Sequence, residues 1–243
     1  MATSGSYTYS VTRDTLILSA FRVIGVFNDD SAPPATDLSN AVQALNLMLK
    51  EMIAEGYPLW CVSDVVIPLT TSTTYTLGPT GSVVGFRPLR VIYGRLRYPT
   101  TNLDVPLIQL SRQEYNVLGN KLSPGVPNSY YYDPQTYNGV LSLYLTPQSI
   151  LSGDNVTLTC QRPLQDMLNS TDDFDFPIEW LNSIKYGLAT ELAMEYDIAP
   201  QKLQLIAQKW DVSKRKLFDW SVEEAGTFFT PNTLAGGFRR GRA

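Results

Sequence analysis

The apolar period of this 243-residue chain changes twice, and that change limits what it can fold into. Up to residue 56 the large apolar side chains recur at helical spacing. From Tyr57 onward, for about a hundred residues, threonine, valine, tyrosine, proline and glycine dominate in short runs typical of strands. Helical spacing returns at Pro177. The order predicts an α+β chain: an antiparallel bundle of four main helices, with a mainly antiparallel β domain inserted between helices 2 and 3.

The first helix is expected over residues 12–27, with Leu16, Ile17, Ala20, Phe21 and Ile24 on one face and the polar NDDSAPP turn behind it. The second runs over residues 36–56 from Thr36 as N-cap to Gly56 as C-cap, with Leu38, Ala41, Val42, Leu45, Met48, Leu49, Met52 and Ile53 as its stripe. VSDVVIPL, TTYTL, LRVIYGRLRY, VLSLYL and NVTLTCQ read as strands. The third helix opens at Pro177, which suits a first turn. Asp172, Asp173, Asp175 and Glu179 crowd that end, where unpaired N–H groups and the helix dipole favour carboxylates. Leu181, Ile184, Leu188, Leu192 and Tyr196, flanked by Ala189 and Ala193, make its buried stripe. The fourth covers residues 200–224, carrying Leu203, Ile206, Ala207, Trp210, Leu217 and Trp220. Residues 1–57 and 171–225 thus form the two halves of the bundle, residues 58–170 the β insertion, and residues 226–243 an extended C-terminal arm without helical or strand period.

Composition narrows the chemistry. There is no histidine, which removes Ser-His-Asp and Cys-His nucleophilic systems and histidine-ligated metals together. Cys61 and Cys160, far apart, read as buried thiols rather than a metal motif or a disulfide framework. A net charge of −4 gives no general footprint for nucleic acid, so any DNA contact is local or non-adhesive. No apolar run is long enough to span a membrane and the N-terminus lacks a signal-peptide layout, so the expectation is a soluble protein made in the cytosol.

Several groups invite a sharper reading. The acidic cluster of Asp172, Asp173, Asp175 and Glu179 would suit a hard cation or a glycosidase's carboxylate pair, but a helix entry accounts for it and the spacing is not that of a calcium loop. Glu51 and Glu55 read as an outward helix face. Tyr130, Tyr131 and Tyr132 resemble an aromatic sugar platform, yet alternation sends Tyr131 to the opposite face from its neighbours, which favours core or subunit packing. In LRVIYGRLRY, alternation places Arg95 and Arg97 on the face of Val91 and Tyr93, a wet strand end or an interface. GPTG and GGFRRG match no phosphate loop, and no cofactor is expected. In the arm, ordering costs roughly 1–2 kcal/mol per residue, more than Phe228, Phe229, Leu234 and Phe238 return by burial. The arm is therefore either disordered or held by a partner.

PIEWLNSIKYGLATELAMEYDI, the preceding TCQRPLQDM and TDDFDFP, YYYDPQ with GVLSLYLTPQ, and ALNLMLKEMIAEGYPLW together resemble the head-to-tail adaptor, or connector, proteins of short-tailed bacteriophages, tail tubular protein A among them. The resemblance covers most of the chain and carries no catalytic signature. It implies a helix bundle, a dodecameric ring beneath the portal protein around the DNA exit channel, and a C-terminal arm clasping the portal. The β insertion would face a tail, nozzle or fibre-attachment protein. Phe228, Phe229, Leu234, Phe238, Arg239, Arg240 and Arg242 are then the expected portal contacts, and Arg95, Arg97, Tyr130, Tyr131 and Tyr132 a tail or neighbour-subunit interface. Such a protein is a structural part of the virion, not an enzyme, close to double-stranded DNA at the head–tail junction after assembly in the bacterial cytoplasm. The competing expectations are a carboxylate-dependent glycan hydrolase and a glycan-binding tail protein.

Overall fold

The computed structural model describes residues 5–6, 9–27, 33–55, 59–151 and 153–221. Among these the fold is mixed α+β, with five α-helices and one large, nearly closed sheet. The helices are α1 (Arg13–Ile24), α2 (Ala35–Glu55), α3 (Arg112–Val117), α4 (Leu181–Glu195) and α5 (Pro200–Trp220).

The stripe predicted for α1 is the buried one and most of that for α2 is, whereas of the residues named on α5 only Ile206 is buried and Trp220 is 68 % exposed. Leu16, Ile17, Ala20, Phe21 and Ile24 of α1 are all within 2 % exposure, and α2 buries Ala41, Leu45, Met48, Leu49, Met52 and Ile53. α1 stops where Gly25 turns left-handed (φ 77°) and its N–H returns to the Phe21 carbonyl, three residues short of the expected end. α2 begins at Ala35, behind Pro34, whose carbonyl accepts from the Leu38 N–H; Thr36 lies inside the first turn instead of capping it. Gly56 lies outside the described residues. α4 is the central helix, packed on α1, α2 and α5, and it buries eight of its fifteen residues, Gly187 and Ser183 included. A Cβ at Gly187 would lie 2.7 Å from Met48 Sδ and 3.1 Å from Trp210, so α2 and α5 approach α4 through the space that glycine leaves. One cluster joins these helices with Cys61, Leu164 and Met167.

The sheet runs in the order β1 (Val62–Pro68), β10 (Asn155–Gln161), β4 (Arg90–Tyr98), β5 (Leu103–Gln109), β7 (Ser129–Asp133), β8 (Gly139–Tyr144), β2 (Thr74–Gly78), β3 (Val83–Val84). All its ladders are antiparallel except β5 with β7 and β2 with β3. Short strands β6 (Pro124–Gly125) and β9 (Thr146–Pro147) pair beside it. Its inward residues, from Ile67 on β1 through Leu96, Leu158 and Tyr130 to Leu141 and Leu77, form a second cluster. A sheet whose far strands share one cluster must curl around it.

One expectation about register is overturned here. Thr159 pairs with Tyr93 but the next residue, Cys160, pairs with Val91, so Ile92 is an extra residue in β4. Such a bulge reverses the side-chain alternation. Val91 turns into the core at 3 % exposure, whereas Tyr93, Arg95 and Arg97 remain outside, Tyr93 at 53 %.

Candidate interaction surfaces

On the outer face of β1, β10, β4 and β5 the two arginines enter a ladder of alternating charge. Arg95 donates to Asp64 at 2.7 Å and lies 3.7 Å from Asp104; Arg97 donates to Asp104 at 3.0 Å and to Asn102 at 2.6 Å. Asn102 can turn toward Arg97 because it takes the left-handed backbone (φ 55°) in the β4–β5 turn, a conformation asparagine tolerates. Burial works against ionising Asp64, yet hydrogen bonds from Thr159 and Arg95 outweigh it and hold the carboxyl below its usual range. Exposed Val66 lines the cleft beside this ladder.

The three tyrosines of β7 separate as alternation requires. Tyr130 and Tyr132 point into the sheet's core, at 0 % and 8 % exposure. Burial pushes the Tyr130 hydroxyl up to about 12, and Tyr132 is raised further for the same reason. The Tyr132 hydroxyl donates to the Pro88 carbonyl at 2.6 Å, a contact that leaves no room for a side chain at Gly139, whose Cβ would stand 1.9 Å away. Tyr131 faces out. It stacks on Tyr115 with centroids 5.6 Å apart, and its hydroxyl accepts from Arg112 at 2.9 Å. Arg112 also reaches Asp133 at 2.7 Å, and Lys121 lies over the Tyr115 ring.

Arg112 and Tyr115 sit on α3, a helix the period of the sequence does not show because it buries nothing. A local signal for it exists: Ser111 accepts from the Glu114 N–H while Glu114 accepts from the Ser111 N–H, the reciprocal box that S-x-x-E encodes. Asp64, Asp104 and Asn102, the partners of the two arginines, carry no comparable signal, since strand pairing brings them in from elsewhere.

Two members of the acidic cluster, Asp172 and Asp175, do not serve a helix entry. Pro177 caps a 3₁₀ turn, Ile178–Trp180, and the α-helix starts only at Leu181. Asp172 instead closes a turn, accepting from the Leu168 and Asn169 N–H groups at 2.9 and 2.7 Å, which with the Asn169 side chain lowers its pKa. Asp175 is held by both terminal nitrogens of Arg162, one at 2.8 Å, and by the Gln165 N–H. Only Glu179 stays in the turn preceding α4. Asp172 is thus spent on loop N–H groups, and Asp175 chiefly on the Arg162 guanidinium. Glu55 bridges to Lys214 on α5. Cys61 and Cys160 are buried, and desolvation pushes each thiol up to about 12. Among the described residues no helix is long and apolar enough to cross a membrane.

Phe228, Phe229, Leu234, Phe238, Arg239, Arg240 and Arg242 lie outside the described residues.

The described surface therefore carries a charge ladder on the outer face of the sheet and an aromatic stack where α3 meets β7. Residues 12–225 match the family model described as SU10 adaptor protein, and the chain belongs to that family of phage head-to-tail adaptors, which are structural proteins. No match was found among curated proteins.

Proposed function

We propose that this protein joins the portal to the tail of the virion as a closed ring, a dodecamer, around the DNA exit channel. The observation that carries the reading is the family match, which runs without interruption through the helical segments on both sides of the sheet and through the sheet itself. In this reading residues 1–57 and 171–225 make the antiparallel bundle of four main helices, residues 58–170 the inserted β domain, and residues 226–243 the arm. The two clusters, one centred on the helices and joined by Cys61, Leu164 and Met167, the other within the sheet, support that division.

The arm docks on the portal, with Phe228, Phe229, Leu234 and Phe238 as apolar anchors and Arg239, Arg240 and Arg242 pairing with portal carboxylates. Arg95, Arg97 and Tyr131 meet a neighbouring subunit or a tail, nozzle or fibre-attachment protein; their place on the outer face of the sheet, half-buried, supports that role, whereas Tyr130 and Tyr132 contribute by holding the strand. A net charge of −4 lets double-stranded DNA pass without being held. Assembly takes place in the bacterial cytoplasm. Deleting residues 226–243 tests the arm: portal binding by pull-down and negative-stain imaging is expected to be lost while the melting temperature is kept. Undiminished binding would remove the arm from the interface.

A further inference from the structure

Several charged side chains of the described surface are neutralised within the chain: Lys50 with Asp166, Arg95 with Asp64, Arg112 with Asp133, Arg162 with Asp175, Lys214 with Glu55. Two groups on the helices are not, and they are opposite in sign.

The first is a ridge on α5. Leu205, Lys209, Val212 and Lys216 recur at intervals of four, three and four residues, one outward stripe, with Leu205 67 % and Val212 47 % exposed. The ridge borders Asn182 of α4. Lys185, three residues on, lies over the Tyr186 ring, and Lys209 donates to the Tyr186 hydroxyl at 2.7 Å. A phenol meets these ammonium groups, and none of Lys185, Lys209 and Lys216 forms an ion pair among the described residues.

The second is a patch on α2 and the C-terminal half of α4. Glu191, Met194 and Glu195 share a turn of α4, and burial together with the charges of Glu51 and Glu195 makes Glu191 harder to ionise. Glu51 brings with it Leu47, one turn earlier on the same stripe of α2 and 63 % exposed; Met194 is 64 % exposed. None of the three glutamates has a cationic partner among the described residues. Nine residues at about 100° each place Glu191 half a turn around α4 from Asn182, so ridge and patch look in opposite directions.

We infer that these two surfaces are the two halves of one contact between copies of this chain: the α5 ridge of one copy lies on the α2–α4 patch of the next. Apolar residues, Leu205 and Val212 against Leu47 and Met194, are covered at its centre, and lysines meet glutamates around them. Because the halves differ and face apart, the contact is head-to-tail and repeats, the kind that closes into a ring. The inference rests on the ring reading above and names the surfaces that build it.

The test is a charge exchange, with the full-length protein, its portal, negative-stain imaging and sedimentation velocity. Lys209→Glu with Lys216→Glu in one variant, or Glu191→Lys with Glu195→Lys in another, is expected to raise the concentration needed for rings by about tenfold to a hundredfold. Circular dichroism should stay unchanged. An equimolar mixture of the two variants is expected to form rings again, since each ridge then meets a patch of opposite sign. Rings from either variant at the wild-type concentration, or a mixture that does not recover, overturn the inference while wild-type rings keep the adaptor reading. A wild-type protein that forms no ring even with portal overturns both.

Discussion

Replacing Asp175 should weaken the seam between sheet and helices. Arg162 follows β10 directly; its backbone N–H donates to the Cys61 carbonyl at 2.8 Å, just before β1, and its guanidinium holds Asp175 just before the turn into α4. Nearby, Trp60 meets both Phe176 and Trp180 edge-on or tilted. The pair is mostly out of solvent, at 22 % and 20 % side-chain exposure. Breaking a fully buried pair costs about 3–5 kcal/mol and a hydrogen bond to a charged group contributes about 1.5–3, so partial exposure puts Asp175→Ala at about 2–3 kcal/mol. In a chain of this length that lowers the melting temperature by about 5–10 °C. Urea unfolding of wild type, Asp175→Ala, Arg162→Met and the double variant should give a coupling energy of about 2 kcal/mol, with the double variant little worse than either single one. A coupling below about 0.5 kcal/mol would refute the structural role assigned to the pair. Glycan hydrolysis that disappears in a stably folded Asp175→Asn would return the carboxylate to chemistry.

Three further outcomes follow from the same geometry. Gly139→Ala forces a methyl group onto the Tyr132 hydroxyl and should destabilise by about 2–4 kcal/mol in urea, more than alanine at exposed Gly119, where nothing lies nearby. Because the folded Asp64 carboxyl is depressed, its contribution is complete above the usual carboxylate range and fades as pH falls below it. The stability gap between wild type and Asp64→Asn should therefore close on acidification, and a gap constant from pH 7 to pH 2, about the whole carboxylate range, would oppose the assignment. Cys61 and Cys160, buried and raised to about 12, should resist alkylation at pH 8 in the native protein and label readily in urea; fast native labelling would show that the cores open.

The helical faces were legible residue by residue because an amphipathic stripe is local information: what Leu16, Phe21, Leu45, Ile184 and Leu192 bury follows from their spacing alone. The absence of histidine and the strand character of the middle block were equally plain. What alternation could not foresee was Ile92, whose extra place in β4 turns Val91 inward and leaves Tyr93, Arg95 and Arg97 outside; a bulge is decided by the register against β10. α3 escaped because a helix with no buried face has no period to detect, although its capping box was written in Ser111 and Glu114. The carboxylates before α4 looked like helix-entry charges by position, yet Asp172 accepts from loop N–H groups and Asp175 pairs with Arg162. So the sequence by itself determined the main helices, the strand-forming block between them, the buried faces of α1 and α2, and the family. Only the tertiary structure decided which charges are spent inside the chain and which, on α5 and on α2 with α4, have no ionic partner among the described residues, because pairing joins residues that are distant along the chain.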